Sequence, residues 1–418
     1  MLLLERIATL VTVAAPNDPL PHGYTPRRRG AQMADIGVRH DVDVAIDGEL
    51  ILWIGESGSR RFDEAERIDC SGRTVLPGLV DSHTHVVFAG ERSGELARRL
   101  RGASYQEIAA AGGGIQSTVR AVRAASTEQL VEQARRLVRS AFRHGTTTME
   151  IKSGYGLDTA SEIRQLEAIA QLAAEEQPTI IPTFLGAHDV PPEHREDRAE
   201  YVRIVIEEML PIVAERGLAA FCDVFCDTGY FTVPETKMIF EAARMHGLRL
   251  KIHADELSSF AGAELAARSG AISADHLLMI SDNGIEQMRT ADVIATLLPG
   301  TAFFLGLPFA PARRMIERGL AVALATDCNP GSNMSENMQM TLALACMGMK
   351  MTVEEAICAA TLNGAAALGI SDRVGSVEVG KIADLAIFDS PDYPDIVYHY
   401  GINRVCGVIR AGVPTIWE

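Results

Sequence analysis

Leu79-Val80-Asp81-Ser82-His83-Thr84-His85 places two histidines directly after a short apolar run. Side chains alternate between the two faces of a strand, so His83 and His85 share one face. Later apolar runs end in His253 and in Asp327. Three imidazoles and a carboxylate form a nitrogen and oxygen ligand set that suits Zn²⁺ or Fe²⁺. The sequence therefore predicts a metal site and metal-assisted hydrolysis.

The middle of the chain alternates apolar runs with helical patterns, which indicates a parallel sheet. Eight such strands close a (β/α)₈ barrel of the α/β class. The predicted strands are 79–83, 146–151, 179–187, 220–225, 248–254, 271–276, 291–298 and 321–326. The predicted helices include 160–174, 234–246, 261–269 and 311–318. Active sites of such barrels lie at the carboxyl ends of the strands, so the polar residues found there form the candidate site.

Both ends of the chain have strand character instead of this alternation. Asp47-Gly48 separates two apolar runs, which is a strong hairpin signal because both turn positions favour positive φ. Apolar runs near the carboxyl end resemble this pattern. We therefore expect both ends to form one small β-sandwich beside the barrel. The expected domains are a composite β-sandwich of residues 1–76 and 372–418 and a barrel of residues 77–371.

Composition excludes several classes of partner. The chain has 418 residues, enough for a barrel of about 250 residues and a smaller unit. Its formal net charge of −16 argues against nucleic acid, because phosphates require a basic surface. It has no charge-free apolar run of about 18 residues, so no membrane partner is expected. An odd number of cysteines, 7, without repeated spacing indicates reduced thiols and a cytoplasmic protein.

Glu256 and His276 are the candidate proton carriers. Glu256 follows His253 by three residues, and His276 ends the next predicted strand. A metal-bound water has a pKa of about 7, and a nearby acid must protonate the leaving nitrogen. The alternatives are a helix-start role for Glu256 and a core role for His276. Their positions beside the ligands favour proton transfer, with either residue as the base.

Several segments resemble the amidohydrolase superfamily and, within it, the imidazolonepropionases. The opening Pro-Gly-x-x-Asp-x-His-x-His is general to the superfamily, whereas two later segments, around Tyr155 and Asn329, are specific. The likeness runs from about residue 42 to the end. The segments are Pro77 to His85, Phe88 to Arg92, Gly112 to Ile115, Lys152 to Leu157, Thr183 to His188, His253 to Glu256 and Thr326 to Ser332.

This resemblance implies that water cleaves the cyclic amide C–N bond of 4-imidazolone-5-propanoate, giving N-formimidoyl-L-glutamate in histidine degradation. It implies one Zn²⁺ or Fe³⁺/Fe²⁺ per subunit and a homodimer. The implied metal ligands are His83, His85, His253 and Asp327. The implied catalytic residues are Glu256, His276 and Asp327. The implied substrate contacts are Arg92, Tyr155, His188, Glu256, Asn329, Gly331 and Ser332.

Arg92 separates this interpretation from its main alternative. A planar guanidinium binds a carboxylate through two parallel hydrogen bonds, and this small-molecule substrate carries a propionate. The main alternative is a related amidohydrolase, such as a deaminase of a nucleobase or of formimidoyl-glutamate. A nucleobase needs no such cation. Further alternatives are a binding protein without activity and a two-metal site bridged by a carbamylated Lys152, which no additional histidine supports.

Overall fold

The computed structural model describes residues 1–14, 26–103, 107 and 112–416. Its strands are β1 Leu2–Val11, β2 Val38–Asp47, β3 Leu50–Glu56, β4 Glu66–Asp69, β5 Thr74–Pro77, β6 Leu79–Asp81, β7 Thr146–Lys152, β8 Thr179–Ala187, β9 Phe221–Cys226, β10 Arg249–Ala254, β11 Ser273–His276, β12 Ile294–Leu297, β13 Val322–Leu324, β14 Leu385–Phe388, β15 Val405–Arg410 and β16 Val413–Ile416.

The α-helices of the described residues are Ser93–Leu100, Ile115–Ala124, Thr127–Arg143, Thr159–Glu175, Arg198–Ile204, Leu210–Glu215, Val233–Met245, Gly262–Ser269, Asp282–Ala291, Pro299–Leu305, Ala312–Glu317, Met338–Met349, Val353–Ala359, Leu362–Ala367 and Pro394–Tyr398. Short 3₁₀ helices lie at Gly30–Ala34 and Pro192–His194, and a π-helical turn at Val205–Met209 joins two of the α-helices. Among these helices, none is long and apolar enough to cross a membrane.

Strands β6 to β13 form a parallel sheet in chain order. Just beyond the ends of β6 and β13, Thr84 and Cys328 form a parallel bridge that closes the sheet into a barrel. The predicted (β/α)₈ barrel is confirmed, and each of the eight predicted strands overlaps an observed one. The barrel therefore places the carboxyl ends of all eight strands at one mouth.

The other strands form a second sheet from both ends of the chain, in the order β16-β15-β14-β5-β1-β2-β3, with β4 paired to β1. The amino-terminal and carboxyl-terminal parts meet where β5 pairs antiparallel with β14. The hairpin at Asp47-Gly48 is confirmed between β2 and β3. The predicted small β unit from both termini is thus confirmed, with its strands joined in one sheet. The exact domain limits at residues 76 and 372 stay a prediction.

Helices cover the outside of the barrel with one apolar face each. Thr127–Arg143 begins at Ser126, whose hydroxyl accepts a hydrogen bond from Gln129 N in a capping box. Leu130, Ala134 and Val138 are buried at a spacing of four residues, which is one face of a helix. Burial of such faces against the strands stabilises the barrel.

The chain passes from the terminal sheet into the barrel at Gly78, between β5 and β6. Gly78 N donates to Asp384 O at 2.8 Å, which ties this crossing to the carboxyl-terminal segment. A side chain has no room here, because an added Cβ atom would lie 2.8 Å from the Cβ atom of Thr147 and closer to its hydroxyl and methyl groups. Close packing of the two sheets therefore requires glycine at this position.

We expect Gly78→Ala to lower the free energy of unfolding by about 1–3 kcal/mol, because the added methyl group overpacks against Thr147. Urea denaturation measures this change. Gly94→Ala is the control, since among the described residues no heavy atom lies within 4 Å of a Cβ added there. Equal stability of the two variants would contradict the close approach at the crossing.

Candidate metal centre and substrate pocket

The four predicted metal ligands converge at the barrel mouth, and all four side chains are buried. His85 Nε2 lies 3.2 Å from His83 Nε2 and 3.5 Å from His253 Nε2. Asp327 Oδ1 lies 3.6 Å from His83 Nε2 and 3.5 Å from His85 Nε2. Four atoms about 2.0–2.1 Å from a tetrahedral Zn²⁺ would be about 3.3 Å apart. The three histidines therefore fit a metal ion, and Asp327 lies beside two of them.

The two histidines after β6 are in the form that binds a metal. Burial lowers the pKa of His83 and His85 well below the ordinary value of histidine. The ammonium group of Lys152 acts in the same direction on both imidazoles. Both imidazoles are therefore neutral, as metal coordination requires.

Backbone pairing places Asp327 beside the histidines. Asp327 N donates to His83 O at 3.0 Å, and His85 N donates to Cys328 O at 2.9 Å. The φ angle of Asp327 is +56°, a left-handed conformation that turns its side chain at the end of β13. Thr301 Oγ1 donates to Asp327 Oδ2 at 2.6 Å, so Oδ1 is the oxygen that faces the imidazoles.

Two carboxylates orient the histidines from behind. His83 Nδ1 lies 2.7 Å from Asp275 Oδ2, and His253 Nδ1 lies 3.1 Å from Asp223 Oδ1. When each Nδ1–H donates to its carboxylate, the Nε2 lone pair is directed to the metal position. Asp223 is one of the polar residues that the sequence places near a strand end, whereas Asp275 and Thr301 had no predicted role. The signal for Asp223 is a charged residue inside the otherwise apolar strand β9.

The predicted proton carriers lie side by side, with His276 Nδ1 3.6 Å from Glu256 Oε1. Burial, and then the charges of Asp327 and Asp227, raise the pKa of Glu256 to about 8. Burial lowers the pKa of His276 well below its ordinary value, and His253 adds to this effect. At neutral pH, Glu256 is therefore a proton donor and His276 a neutral acceptor in the protein without metal.

A cavity of about 330 Å³ opens above the metal position. It is lined by all the residues predicted to contact substrate, which are Arg92, Tyr155, His188, Glu256, Asn329, Gly331 and Ser332. The same cavity contains His276 and three of the predicted metal ligands, His85, His253 and Asp327. His83 is fully buried and does not line the cavity. The residues predicted to contact substrate therefore line the same cavity as three of the predicted metal ligands.

Arg92 is fixed by an acidic neighbour that the sequence analysis missed. Its Nε and Nη2 atoms lie 3.0 and 2.9 Å from Glu95 Oε2. Glu95 Oε1 in turn accepts hydrogen bonds from Gly114 N at 3.0 Å and Ser117 Oγ at 3.3 Å. A Cβ atom on Gly331 would collide with the guanidinium, so glycine there leaves space for it. The remaining face of Arg92 is available to an anion in the cavity.

Tyr155 and His188 form one wall of the cavity. Their ring centroids are 5.3 Å apart, and His188 stacks on His85 at 5.1 Å. His188 Nδ1 lies 3.0 Å from Gly154 O, so its Nε2 atom is free to face a ligand. Glu162 fixes this loop by accepting hydrogen bonds from the backbone N–H groups of Gly154, Gly156 and Leu157 at 2.7 to 3.0 Å.

Many polar groups of the turn after Asp327 are hydrogen-bonded to one another. Asn329 Oδ1 accepts hydrogen bonds from Gly331 N and Ser332 N, both at 2.8 Å. Asn329 Nδ2 donates to Asp327 O and to Ser332 Oγ, both at 2.7 Å. The backbone N–H groups of Gly331 and Ser332 are therefore already donated to Asn329. Ser332 Oγ accepts from Asn329 Nδ2 and donates to Asp327 Oδ2 at 3.5 Å.

Lys152 is an ion-paired ammonium. Its Nζ atom lies 2.8 Å from both Glu150 Oε2 and Asp223 Oδ2. Burial alone would lower the pKa of Lys152, but Asp223 and Glu150 outweigh burial and raise it. Carbamylation requires a neutral amine, so the geometry gives no support to a carbamylated bridging lysine.

Comparisons with known proteins identify the family of this chain. The sequence model of the amidohydrolase family matches residues 74–414. An imidazolonepropionase of Shouchella clausii is 47% identical over 418 residues, covering 99% of this chain and 92% of the relative. An imidazolonepropionase of Geobacillus kaustophilus is 51% identical over 387 residues, covering 91% of each chain.

Solved structures support the fold. Atrazine chlorohydrolase TrzN from Arthrobacter aurescens, complexed with zinc, aligns with a TM-score of 0.74 at 18% identity, covering 100% of this chain and 95% of that one. An adenosine deaminase from Xanthomonas campestris with bound zinc aligns with a TM-score of 0.71 at 21% identity, covering 100% and 93%.

The chain belongs to the amidohydrolase family and, within it, to the imidazolonepropionase family. It is a hydrolase that acts on C–N bonds. The family and the histidine cluster together indicate a divalent metal at this site.

We expect Zn²⁺ to stabilise protein that has been stripped of metal. Free Zn²⁺ at 100 times its Kd would add about 2.7 kcal/mol, seen as a rise in Tm. His85→Ala should reduce this rise by removing a ligand. His399→Ala is the control, because His399 is exposed and remote from the cluster. A rise of equal size in His85→Ala and in wild type would contradict the assigned ligand.

Proposed function

We propose that this protein hydrolyses 4-imidazolone-5-propanoate to N-formimidoyl-L-glutamate, a step in histidine degradation. The observation that carries the proposal is one cavity that is lined by Arg92 and by three of the four predicted metal ligands. The metal ligands would hold the ion that hydrolysis of a cyclic amide requires, and the guanidinium would bind the propionate of this substrate. The names of the relatives at 47% to 51% identity support the same reaction.

We propose that His83, His85, His253 and Asp327 hold one Zn²⁺ or iron ion per subunit. When bound, such an ion supplies hydroxide at neutral pH and polarises the ring carbonyl. Asp275 and Asp223 orient the imidazoles of His83 and His253, and Thr301 fixes the carboxylate of Asp327. Rigid ligands of this kind hold the reacting carbon and water in position.

We propose that His276 accepts the proton of the attacking water and that Glu256 protonates the leaving ring nitrogen. The lowered pKa of His276 keeps it neutral and able to accept a proton. The raised pKa of Glu256, about 8, keeps its carboxyl group protonated at pH 7. Water adds its oxygen to the carbonyl carbon and gives one proton to His276, and the C–N bond breaks as the nitrogen takes a proton from Glu256. Return of the proton from His276 to Glu256, 3.6 Å away, restores both groups for the next turnover.

We propose that Arg92 binds the propionate, with Tyr155, His188 and Ser332 contacting the ring or the chain of the substrate. Glu95 holds the guanidinium from one side, which reduces the conformational freedom lost when substrate binds. A deaminase acting on a nucleobase would have no ligand for this cation. The carboxylate of the substrate is therefore the feature that the pocket selects.

We propose a cytoplasmic location, which the seven free cysteine thiols support. The homodimer and the absence of nucleic acid and membrane partners stay predictions.

Arg92→Ala should raise the KM for imidazolone propionate by about tenfold or more, because the carboxylate loses a charge-assisted pair. Metal content should stay unchanged, since the guanidinium of Arg92 pairs with Glu95 and, among the described residues, with none of the predicted metal ligands. Arg98→Ala, on the exposed side of the same helix, is the control. Steady-state kinetics by absorbance measure the effect. A KM equal to that of wild type would remove Arg92 from the substrate site.

The rate should fall as pH rises above about 8, because Glu256 then loses the proton that it donates. A carboxyl group with a raised pKa is protonated below that value, so the active form exists on the acidic side. Glu256→Gln should lower kcat by about 10²- to 10⁴-fold and remove this alkaline limb. A rate that still increases between pH 8 and 10 in wild type would contradict the role of Glu256 as the acid.

A further inference from the structure

Five charged side chains form a buried charge cluster inside the barrel, next to the metal ligands. Two are ammonium groups and three are carboxylates, and none of the five side chains is exposed to solvent. Such burial is costly unless the charges are paired and hydrogen-bonded. The unfavourable free energy of burying these charges therefore calls for a functional explanation. Its members are Glu150, Lys152, Asp223, Lys251 and Asp275.

The two lysines share the same carboxylates. Glu150 Oε2 lies 2.8 Å from Lys152 Nζ and 3.0 Å from Lys251 Nζ. Asp275 Oδ2 lies 3.8 Å from each of the two Nζ atoms. Asp223 Oδ2 lies 2.8 Å from Lys152 Nζ. Two positive charges are thus held among three negative ones, within one connected network.

The same carboxylates hold the metal-binding histidines. Asp275 Oδ2 lies 2.7 Å from His83 Nδ1, so one oxygen faces both an imidazole and the two lysines. Asp223 divides its oxygens, with Oδ2 on Lys152 and Oδ1 on His253 Nδ1 at 3.1 Å. Any movement of the lysines would move the carboxylates and, through them, the imidazoles.

The position of the lysines is also a position that suits a cation. Ligand atoms of His83, Glu150 and Asp275 lie within 4.8 Å of one another, a spacing that could hold a metal ion. Lys251 Nζ lies in this group and also donates to Ser82 O at 2.8 Å, directly before the first metal-binding histidine. An ammonium therefore provides positive charge where a second ion would otherwise bind.

We propose that Lys152 and Lys251 take the place of a second metal ion and align Asp223 and Asp275, which direct His253 and His83 to a single ion. They are positioning residues, since they act through the two aspartates. This inference rests on the metal site of the proposed function and not on the identity of the substrate. It assigns a role to the charged residues within four barrel strands, β7, β9, β10 and β11.

The wild-type protein tests the proposal without any substitution. In zinc-loaded protein labelled with ¹⁵N, we expect NMR to show protons on Nδ1 of His83 and His253 and charged ammonium groups on both lysines. Protonation of either histidine at Nε2, or a neutral amine on either lysine, would overturn the proposal. Neither readout depends on hydrolysis, so failure here is distinct from failure of the proposed reaction.

Lys152→Met and Lys251→Met test the alignment by metal affinity, measured by competition with a chelator, and by metal content. We expect affinity for Zn²⁺ to fall about 10- to 100-fold, the range found when partners of metal ligands are removed. A second equivalent of bound Zn²⁺ would also support the proposal, because the vacated position would then hold an ion. Unchanged affinity together with one ion per chain would overturn it. Lys237→Met, at an exposed lysine 3.7 Å from Glu241, is the control.

The double variant Lys152→Met/Glu150→Gln separates alignment from charge balance and guards against misfolding of the single variant. It removes one positive and one negative charge, so the net charge of the cluster is restored. If Lys152 aligns Asp223, affinity stays reduced in the double variant. Recovery of wild-type affinity would show that charge balance alone matters and would overturn the positioning role.

Discussion

Closure of the barrel is the constraint on which the candidate metal centre depends. The residues that follow the first and last barrel strands join these strands, because Asp327 N donates to His83 O and His85 N donates to Cys328 O. These hydrogen bonds join the His-x-His segment to the carboxylate ligand. Without closure, β6 and β13 would lie at opposite edges of an open sheet, and no common centre would form.

The buried carboxylate of Asp81 stabilises this junction. Asp81 accepts hydrogen bonds from Thr326 N at 2.9 Å and from Thr326 Oγ1 at 2.6 Å, which connects the end of β6 to the segment after β13. Two functional residues have a left-handed backbone. Asp327 at this junction has a φ angle of +56°, and His276 at the end of β11 has a φ angle of +75°. Such conformations cost about 1–3 kcal/mol each and persist where the surrounding structure determines them. Here they aim functional side chains into the cavity.

The fold and the metal ligands could be predicted because strand periodicity and strand-end positions are local properties of the sequence. His83 and His85 share a face by alternation, and Asp327 ends an apolar run. The charged partners could not be predicted in the same way. The role of Asp275 depends on its alignment beside His253 in the neighbouring strand and on its reach to His83 across the barrel, and neither is encoded within a short window. Asn329 was predicted to contact the substrate, and the structure shows its side-chain oxygen hydrogen-bonded to Gly331 N and Ser332 N within its own turn.

The central claim is that distant points of the chain hold a single metal ion at the barrel mouth. Anomalous diffraction from crystals of metal-loaded protein tests this claim most directly. The account predicts one peak, about 2.0–2.2 Å from Nε2 of the three histidines His83, His85 and His253 and from Oδ1 of Asp327. A peak bound instead by Glu150 and Asp275, or no metal within reach of the three histidines, would contradict it.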